Sequence, residues 1–525
     1  MRQSGFALVL FLAAACGGSS PPSVCEQDPP PLECNAVCDP GGSAPRCPVG
    51  YHCTSSGRCD AECTQGGTEC GDGRRCSSDG FCIPVDQCQG LECQVVNCQA
   101  MSMPPTTLTG VVFAPNGTLP LSGIDVYIPN AALPPLTEGA VCDRCNATLP
   151  GSPLVATQTD ETGAFRLENV PAGADIPVVI SSGKWRRELR ITNVPQCAAT
   201  ALPATDTRLP RNRTEGNLPK IAISTGSADA LECLVRKLGI DDAEMGTDGA
   251  AGRIHLYADN GAGGGQGANQ FRGGWPGGTG AFANSTTLWN TVDKLRTYDI
   301  VILSCEGGQR PETKSQAAMD AMKAYADLGG RVFLSHWHNI WIEGSTQGGG
   351  SQAPQVWTSV ATWNNSSTTF SSPPDTIDLV NNPEGELMAD WMMAVGGSTV
   401  RTQIPIGAGT GKNTVQAVDN ARAERWVYWE NGGTQFPQMF QFTTPNEGPV
   451  DDRCGKVVFS DMHVSGDSDS SPGTPFPDDC STADLTPQEK ALAFMFFDIA
   501  SCVGPPIGRE APSPVEDELV SRPRP

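Results

Sequence analysis

Side chains able to do acid–base, nucleophilic or metal chemistry follow three apolar segments in the second half of the chain. They are Cys305, Glu306, Ser335, His336, Trp337, His338, Asp461 and His463. Three of the chain's five histidines are in this set. The preceding runs, YDIVIL, RVFL and KVVFS, are typical of buried parallel strands. Because ligands of open α/β sheets bind beyond the carboxyl ends of the strands, the sequence predicts that these side chains converge in one pocket.

Three kinds of chemistry fit these residue types. Ser335 and His463 suit a nucleophile and its base, with Glu306 orienting the base. Alternatively, imidazoles of His336, His338 and His463 suit a zinc ion. In the third interpretation the histidines and Trp337 line a pocket that binds without catalysis. We take the third as the expectation, with no metal or other cofactor, because folds keep pockets while functions change. Cys305 is the weaker nucleophile because it begins a turn.

The elements that must position this pocket alternate between strands and helices from about residue 219 to residue 505. Apolar runs at residues 221–224, 253–257, 298–305, 331–335 and 456–460 predict strands. Asp229, with Glu232 three residues later, predicts a capped helix start, and Thr486 with Glu489 predicts another. This order predicts an α/β domain with a doubly wound parallel sheet.

Three segments of this α/β region resemble class I glutamine amidotransferase-like domains of flavodoxin-like topology: YDIVILSCEGG, GGRVFLSHWHNIW and KVVFSDMHVSG. The resemblance implies that His463 takes the place of the triad histidine. It implies that His336, or its neighbour Ser335, takes the place of the nucleophile at the strand-to-helix elbow. No cysteine stands at that elbow, so the resemblance does not extend to a thiol nucleophile.

Residues 106–200 contain short apolar runs separated by turns and predict a small β-sandwich. The opening GVV at residue 110, the segment TQTDETGAFRLENV at residues 157–170 and the following PAG resemble the carboxypeptidase regulatory-like (transthyretin-like) domain. That family implies a binding or structural module without catalytic residues. A lone CxxC, Cys142 and Cys145, is more consistent with structural bridges than with a redox site outside the cytoplasm.

Residues 34–100 are predicted to form a disulfide-rich repeat module. Of the 22 cysteines, 13 lie between Cys25 and Cys98, a density typical of an oxidising compartment. The spacing repeats over Cys34, Cys38, Cys47, Cys53, Cys59, Cys63, Cys70, Cys76 and Cys82. Few apolar residues accompany them, so covalent loops must hold the module together. The odd number of cysteines implies one unpaired thiol or a bridge to Cys142, Cys145 or Cys197.

The first 15 residues have the form of an export signal, with Arg2, the apolar run FALVLFL and a small-residue cleavage site before Cys16. The cleavage site resembles the lipobox of bacterial lipoproteins, which implies a lipidated Cys16 and a membrane anchor. Residues 16–33 would be a tether to the outer membrane or cell surface, and residues 506–525 a disordered acidic tail.

A net charge of −23 argues against a nucleic-acid partner. Trp357, Trp363 and Trp391 lie among hydroxyl and amide side chains, and either stack on sugars or belong to the core. The domain order resembles that of large Gram-negative lipoproteins. We therefore expect a lipid-anchored surface binding or scaffold protein that engages a glycan or another surface polymer. The alternative is a secreted hydrolase that uses Ser335 and His463 or the histidine metal site.

Overall fold

The computed structural model describes residues 23–503, except 27–29, 41–46, 65–66, 68, 72, 78, 85–87, 146–148, 260–266, 348–349, 365–368, 371–373, 408 and 465–473. The predicted signal segment, Cys16, most of the tether and the predicted tail lie outside the described residues. Within them, no helix is long and apolar enough to cross a membrane. The chain is multidomain, with small sheets, many disulfides and one large mixed sheet.

The cysteine-rich region is built from short hairpins closed by disulfides. Its strands are β1 (His52–Cys53), β2 (Cys59–Asp60), β3 (Arg74–Cys76) and β4 (Cys82–Pro84). The pairs are Cys38–Cys53 and Cys47–Cys59 in one unit, and Cys63–Cys76 and Cys70–Cys82 in the next. Each unit joins its first cysteine to its third and its second to its fourth. The predicted disulfide module is confirmed, and its two small cores consist largely of the cysteines themselves.

One detail of the predicted repeat is wrong. Cys34 does not open the first unit, because it pairs with Cys25 upstream. The repeating unit therefore holds four cysteines and starts at Cys38 and at Cys63. Cys98 pairs with Cys197, which confirms one of the bridges expected from the odd cysteine count and ties this region to the β region that follows.

Two facing sheets form that β region. Its strands are β5 (Thr107–Val111), β6 (Asp125–Pro129), β7 (Pro153–Gln158), β8 (Ala164–Glu168), β9 (Gly173–Ser182), β10 (Trp185–Val194) and β11 (Ala199–Ala201). The strand orders are β10-β9-β6-β7 and β11-β5-β8. Burial alternates along β8, as expected for a strand with one face in the core, whereas β6 and β9 are buried at consecutive positions. Leu108 and Phe165 of one sheet share a buried core with Val126 and Ile180 of the other.

The α/β region begins with β12 (Ile221–Ser224), α1 (Leu231–Lys237), β13 (Met245–Thr247), β14 (Ile254–Ala258), β15 (Ala283–Asn284), α2 (Thr286–Trp289), α3 (Val292–Leu295), β16 (Ile300–Leu303), α4 (Gln316–Asp327), β17 (Arg331–Ser335), α5 (Ile340–Glu343) and α6 (Gln355–Thr358). It continues with β18 (Ala361–Trp363), β19 (Thr369–Phe370), β20 (Asp375–Ile377), α7 (Gly385–Ala394), β21 (Gln403–Ile404), β22 (Gly411–Lys412), β23 (Val415–Val418), β24 (Glu424–Asn431), β25 (Thr434–Thr444), β26 (Gly455–Ser460) and α8 (Pro487–Ala500).

The large sheet has the order β13-β14-β12-β16-β17-β26-β25-β24-β20-β21, with β15 beside β14. The strands from β13 to β26 in this order are parallel, and those beyond β26 are antiparallel. An entirely parallel sheet was predicted, so the prediction is wrong for this half. The cause lies in the insertion after β17: the Gly432–Gly433 turn, with positive φ at both residues, folds β24 back on β25 as a tight hairpin. Residues 445–454 then connect β25 to β26.

Both faces of the parallel half are buried. Phe333 and Val458 pack on one face with Leu492 of α8, whereas Leu334 lies on the other face with Met322 of α4. The predicted capping box of α8 is confirmed, since Thr486 accepts a hydrogen bond from the Glu489 N–H and Glu489 accepts one from the Thr486 N–H.

Disulfides join the β region to the α/β region. Cys142 pairs with Cys454, and Cys145 pairs with Cys502, which confirms the structural interpretation of the CxxC. Lys184 forms an ion pair with Asp299 across the same boundary. The two disulfides join residues that are more than 300 positions apart in sequence.

Candidate functional site

The elbow after β17 places His336 at the centre of the candidate site. β17 ends at Ser335, and His336 opens a 3₁₀ turn that leads into α5. The φ of His336 is +37°, a left-handed conformation that is uncommon for a residue with a β-carbon. A strained strand-to-helix turn is also how α/β hydrolases expose a nucleophile above the sheet. Here the turn presents an imidazole.

Two neighbouring strands bring their own polar residues to the same edge. β16 and β26 flank β17 in parallel register, with Leu303 opposite Leu334 and Ser460 opposite Ser335. Cys305 and His463 follow just beyond these strand ends. The Cys305 Sγ lies 3.5 Å from the His336 Nδ1, and the rings of His336 and His463 have centroids 5.1 Å apart. All three side chains are buried, with 3% exposure or less.

Ser335 is oriented by a carboxylate. Its hydroxyl donates a 2.8 Å hydrogen bond to Asp229 Oδ2, and Asp229 Oδ1 accepts a 3.0 Å bond from the Val464 N–H. A hydroxyl has one proton to donate, and here that proton points to Asp229 rather than to a histidine base. The arrangement thus differs from the predicted Ser335–His463 nucleophile and base.

Asp229 itself was predicted to cap α1, and this prediction is wrong. The helix begins at Leu231 after Ala230 and has no side-chain cap. The Asp229 carboxylate instead joins three strand ends through Ser335 and Val464. A cap needs only local geometry, whereas this contact required β12, β17 and β26 to meet.

His338 does not face the same cluster. Its Nδ1 accepts a 3.1 Å hydrogen bond from Trp341 Nε1, so its Nε2 donates to the Ser304 carbonyl at 3.0 Å. Burial, followed by the nearby Lys314 cation, holds the pKa of His338 well below its usual value. The His338 imidazole is therefore neutral and lies at the side of the site. Trp337 is half-buried and lies against the His336 ring, with centroids 4.7 Å apart.

A buried ion pair lies beside Cys305. Lys314 Nζ contacts Glu306 Oε2 at 2.5 Å, and both side chains are excluded from solvent. Burial raises the pKa of Glu306 even though Lys314 opposes the shift. Lys314 also lies 5.2 Å from the centre of the Trp289 ring. The predicted role of Glu306, orienting a base, is replaced here by pairing with a lysine that sequence reasoning missed.

Two more acids at this edge were missed. Asp259 directly follows β14, and burial, with the charge of Glu306, raises its pKa to about 7. Burial also raises the pKa of Glu232, on α1, to about 8, and the charge on Asp229 adds to this. Asp259 could have been found from its position directly after an apolar strand, the same signal that singled out Cys305 and His463, whereas Glu232 lies on α1 and carries no such signal.

Asp461 lies behind His463. Its carboxylate accepts hydrogen bonds from the N–H groups of Thr414 (2.8 Å) and Val415 (3.2 Å), and burial raises its pKa to about 6. Asp375 is buried nearby, and burial together with the charge of Asp461 raises its pKa well above the usual value. Thr414 and Val415, from the insertion after β17, thus cover the site beside Asp461.

The tryptophans of the insertion do not form a sugar platform. Trp357 and Trp391 are buried, and Trp363 packs at 5.3 Å on Phe459. Trp391 Nε1 donates to the Pro120 carbonyl, so it anchors the β region to the insertion. Of the two interpretations given for these residues, the structure favours the core.

A separate polar groove lies between the β region and the α/β region. Its volume is about 1030 Å³, and Asn116–Pro120, the Cys233–Cys480 bridge and residues 481–485 contribute to its walls. Four cationic side chains and three carboxylates line it: Arg211, Arg236, Lys237, Lys490, Asp241, Asp242 and Asp484. Charged side chains and apolar surface both contribute to this groove, and its charge is nearly balanced.

No protein-family model matches the chain, and no curated protein shows significant similarity to it. Two solved structures of type II cohesin–X-dockerin interface mutants from Acetivibrio cellulolyticus align with 27% of this chain and 75% of theirs, at 15% and 17% identity and TM-scores of 0.14. A cytoplasmic protein from Salmonella typhimurium aligns with 54% of this chain and 98% of its own, at 12% identity and a TM-score of 0.27. Similarities this low do not identify a shared fold or function.

Proposed function

We propose that this is an exported, lipid-anchored surface protein that binds a hydroxyl-rich polymer, such as a glycan, and does not hydrolyse amides. Ten disulfides among the described residues support export to an oxidising compartment. The sequence around Cys16 supports the anchor at the outer membrane or cell surface. The regulatory-like and amidotransferase-like resemblances are part of the same proposal, as a binding sandwich and a domain that kept its pocket without its thiol.

The main support for the absence of amide hydrolysis is the identity of the residues at the elbow after β17. By the resemblance, the cysteine of an amidotransferase-like domain would stand at the turn after β17, and this chain has Ser335 and His336 there. The neighbouring hydroxyl of Ser335 donates to Asp229. Neither group is arranged as a nucleophile whose proton a histidine accepts.

The polar groove supports the binding part. Its volume of about 1030 Å³ is at the upper end of small-ligand pockets, which suits several sugar residues. Several lining charges already form ion pairs, such as Arg236 with Asp242 and Arg211 with Asp241. A neutral ligand with many hydroxyls can bond to such paired groups without adding net charge, whereas a strongly charged polymer would need an excess of one sign.

Binding to purified cell-wall glycans by the full chain in detergent tests the proposal. Ala483→Trp places a large ring on an exposed wall of the groove and should lower glycan affinity at least tenfold. Ala132→Trp, at an exposed position that is not among the groove-lining residues, is the matched control and should bind normally. Equal affinities for both variants and the wild type would reject the groove. Mass spectrometry of the mature amino terminus tests the anchor: an unacylated end would reject it.

The competing function is a secreted hydrolase, and the convergence of Cys305, Ser335, His336 and His463 at one edge favours it. Turnover of ester or amide substrates by the wild type, lost in Ser335→Ala while the protein stays folded, would establish the hydrolase instead.

A further inference from the structure

We infer that Cys305, His336 and His463 form a binding site for one zinc ion. One sulfur and two imidazole nitrogens, one atom from each side chain, all lie within 4.8 Å of one another. All three side chains are buried. This site is separate from the polar groove and does not depend on glycan binding. It also differs from the predicted histidine triad, because Cys305 takes the place of His338.

The spacing of the Cys305 and His336 donor atoms matches the geometry that zinc requires. Zinc binds thiolate sulfur at about 2.3 Å and imidazole nitrogen at about 2.0–2.1 Å, with tetrahedral angles. Two such ligands on one ion are therefore about 3.5 Å apart. The Cys305 Sγ and the His336 Nδ1 are 3.5 Å apart. The pair can accept the ion with little movement of either side chain.

The fold holds the three donors on rigid elements. Cys305, His336 and His463 follow β16, β17 and β26, three adjacent parallel strands in register. His336 sits in a left-handed backbone conformation with φ of +37°, which is unfavourable for a residue with a β-carbon and persists where the surrounding structure imposes it. The His463 backbone is fixed on both sides, since its N–H donates to Thr410 and its carbonyl accepts from Gln488.

Cys305 is available as a thiolate ligand. It is the free cysteine among the described residues, whereas the other cysteines described are all paired in disulfides. A buried thiol without a partner cysteine cannot form an intrachain bridge in an oxidising compartment. Coordination to zinc would keep it as a thiolate and protect it from oxidation.

The Asp229 carboxylate lies close to the donors. It is hydrogen-bonded to Ser335 and Val464, the sequence neighbours of His336 and His463. Glu306 directly follows Cys305, and Lys314 offsets its charge. One thiolate and two neutral imidazoles form a donor set suited to zinc, and three protein ligands leave a fourth position for water or an exogenous ligand, as in catalytic zinc sites.

Metal content of the purified full chain tests this inference. The wild type, dialysed against zinc and then against buffer, should retain about one zinc ion per chain. Cys305→Ser, His336→Asn and His463→Gln should each lower retained zinc at least tenfold; asparagine at position 336 tolerates the left-handed backbone. His255→Gln is the matched control, because His255 is buried but both ring nitrogens contact protein groups, the Tyr298 hydroxyl and main-chain carbonyls. It should retain zinc.

Two measurements on the wild type keep the test independent of variant folding. Zinc should raise the melting temperature and a chelator should reverse the rise. Cobalt should give a thiolate-to-metal charge-transfer band in the near ultraviolet. A folded wild type that takes up neither zinc nor cobalt, or that takes up copper while excluding zinc, overturns the inference. Retention of zinc by both Cys305→Ser and His336→Asn would overturn it as well.

Discussion

The Ser335 hydroxyl donates a 2.8 Å hydrogen bond to the Asp229 carboxylate, which joins the elbow after β17 to the loop after β12. The two residues are 106 positions apart and both are buried. Through Asp229 the bond also reaches the main chain beside His463. We therefore expect the Ser335–Asp229 hydrogen bond to stabilise the fold, and its contribution to the free energy of unfolding can be measured.

Ser335→Ala should destabilise the folded chain by about 1–3 kcal/mol, because it removes the hydroxyl donor from one oxygen of the buried Asp229 carboxylate. Urea unfolding followed by tryptophan fluorescence measures the change. Ser285→Ala is the control: Ser285 is equally buried, but its hydroxyl has no partner among the described residues, so its removal should be close to neutral. Equal losses for both variants would contradict the role of the Asp229 bond.

Breaking the Glu306–Lys314 pair should cost about 3–5 kcal/mol, because either single change, Glu306→Gln or Lys314→Met, leaves a buried charge or dipole uncompensated. The double variant should be more stable than the sum of the two losses predicts. Thermal unfolding of the wild type, the two single variants and the double variant measures the coupling energy between Glu306 and Lys314. Arg296→Ala is the control, since Arg296 and its partner Asp293 are 61% and 86% exposed and 3.6 Å apart; its loss should stay below about 1 kcal/mol. Additive losses at Glu306 and Lys314 would contradict the pairing.

Stability should fall as the pH rises from about 4.5 to about 8, because burial raises the pKa of Glu232 to about 8 from an ordinary 4.5. The unfolded carboxyl ionises at the lower pH, so the folded state binds the extra proton across this window. The contribution of the neutral Glu232 is complete below about pH 4.5 and is lost as the pH passes the folded pKa. Glu232→Gln should flatten the profile of urea midpoint against pH.

Glu215 should affect the pH dependence of stability in the opposite direction to Glu232. The hydrogen bond from Arg208 lowers the pKa of Glu215 to about 2, so its contribution is present above about pH 4.5 and is lost as the pH falls through about 2. Glu215→Gln should lower stability at neutral pH and leave the slope of stability against pH unchanged above pH 4.5.

For Glu232, a plot of urea midpoint against pH for Glu232→Gln that runs parallel to the wild-type plot would contradict the burial of a neutral carboxyl at that position.

The disulfides Cys142–Cys454 and Cys145–Cys502 should be redundant in holding the β region to the α/β region. They tie one segment, residues 142–145, to two points of the α/β region, one just before β26 and one just after α8, so after the loss of one the other still holds the two regions together. Replacing either pair with serine should cost little, and replacing both should sharply raise cleavage by limited proteolysis between the β region and the α/β region. Removal of the Cys88–Cys93 pair, which spans only five positions, is the control. A full effect from either single pair would contradict the redundancy.

Sequence patterns located many elements because their signals are local. The apolar face of α4, with Ala318, Met322 and Tyr325 buried, and the capping box of α8 depend on spacings within a few residues. The positions after β16, β17 and β26 predicted which side chains would lie at the sheet edge. The same patterns misread Asp229, because a carboxylate three residues before a glutamate satisfies the capping signature whichever partner it finally takes.

Composition and local spacing were enough to indicate a disulfide-stapled module, a β region and an α/β region, since burial within one strand or helix follows from its own periodicity. The disulfide pairing, the antiparallel half of the large sheet, and the meeting of Cys305 with His336 rather than of His338 with His463 were settled only by packing. Those contacts join residues from nine to more than 350 positions apart, and the spacing of residues within one segment carries no information on which distant segment will cover it.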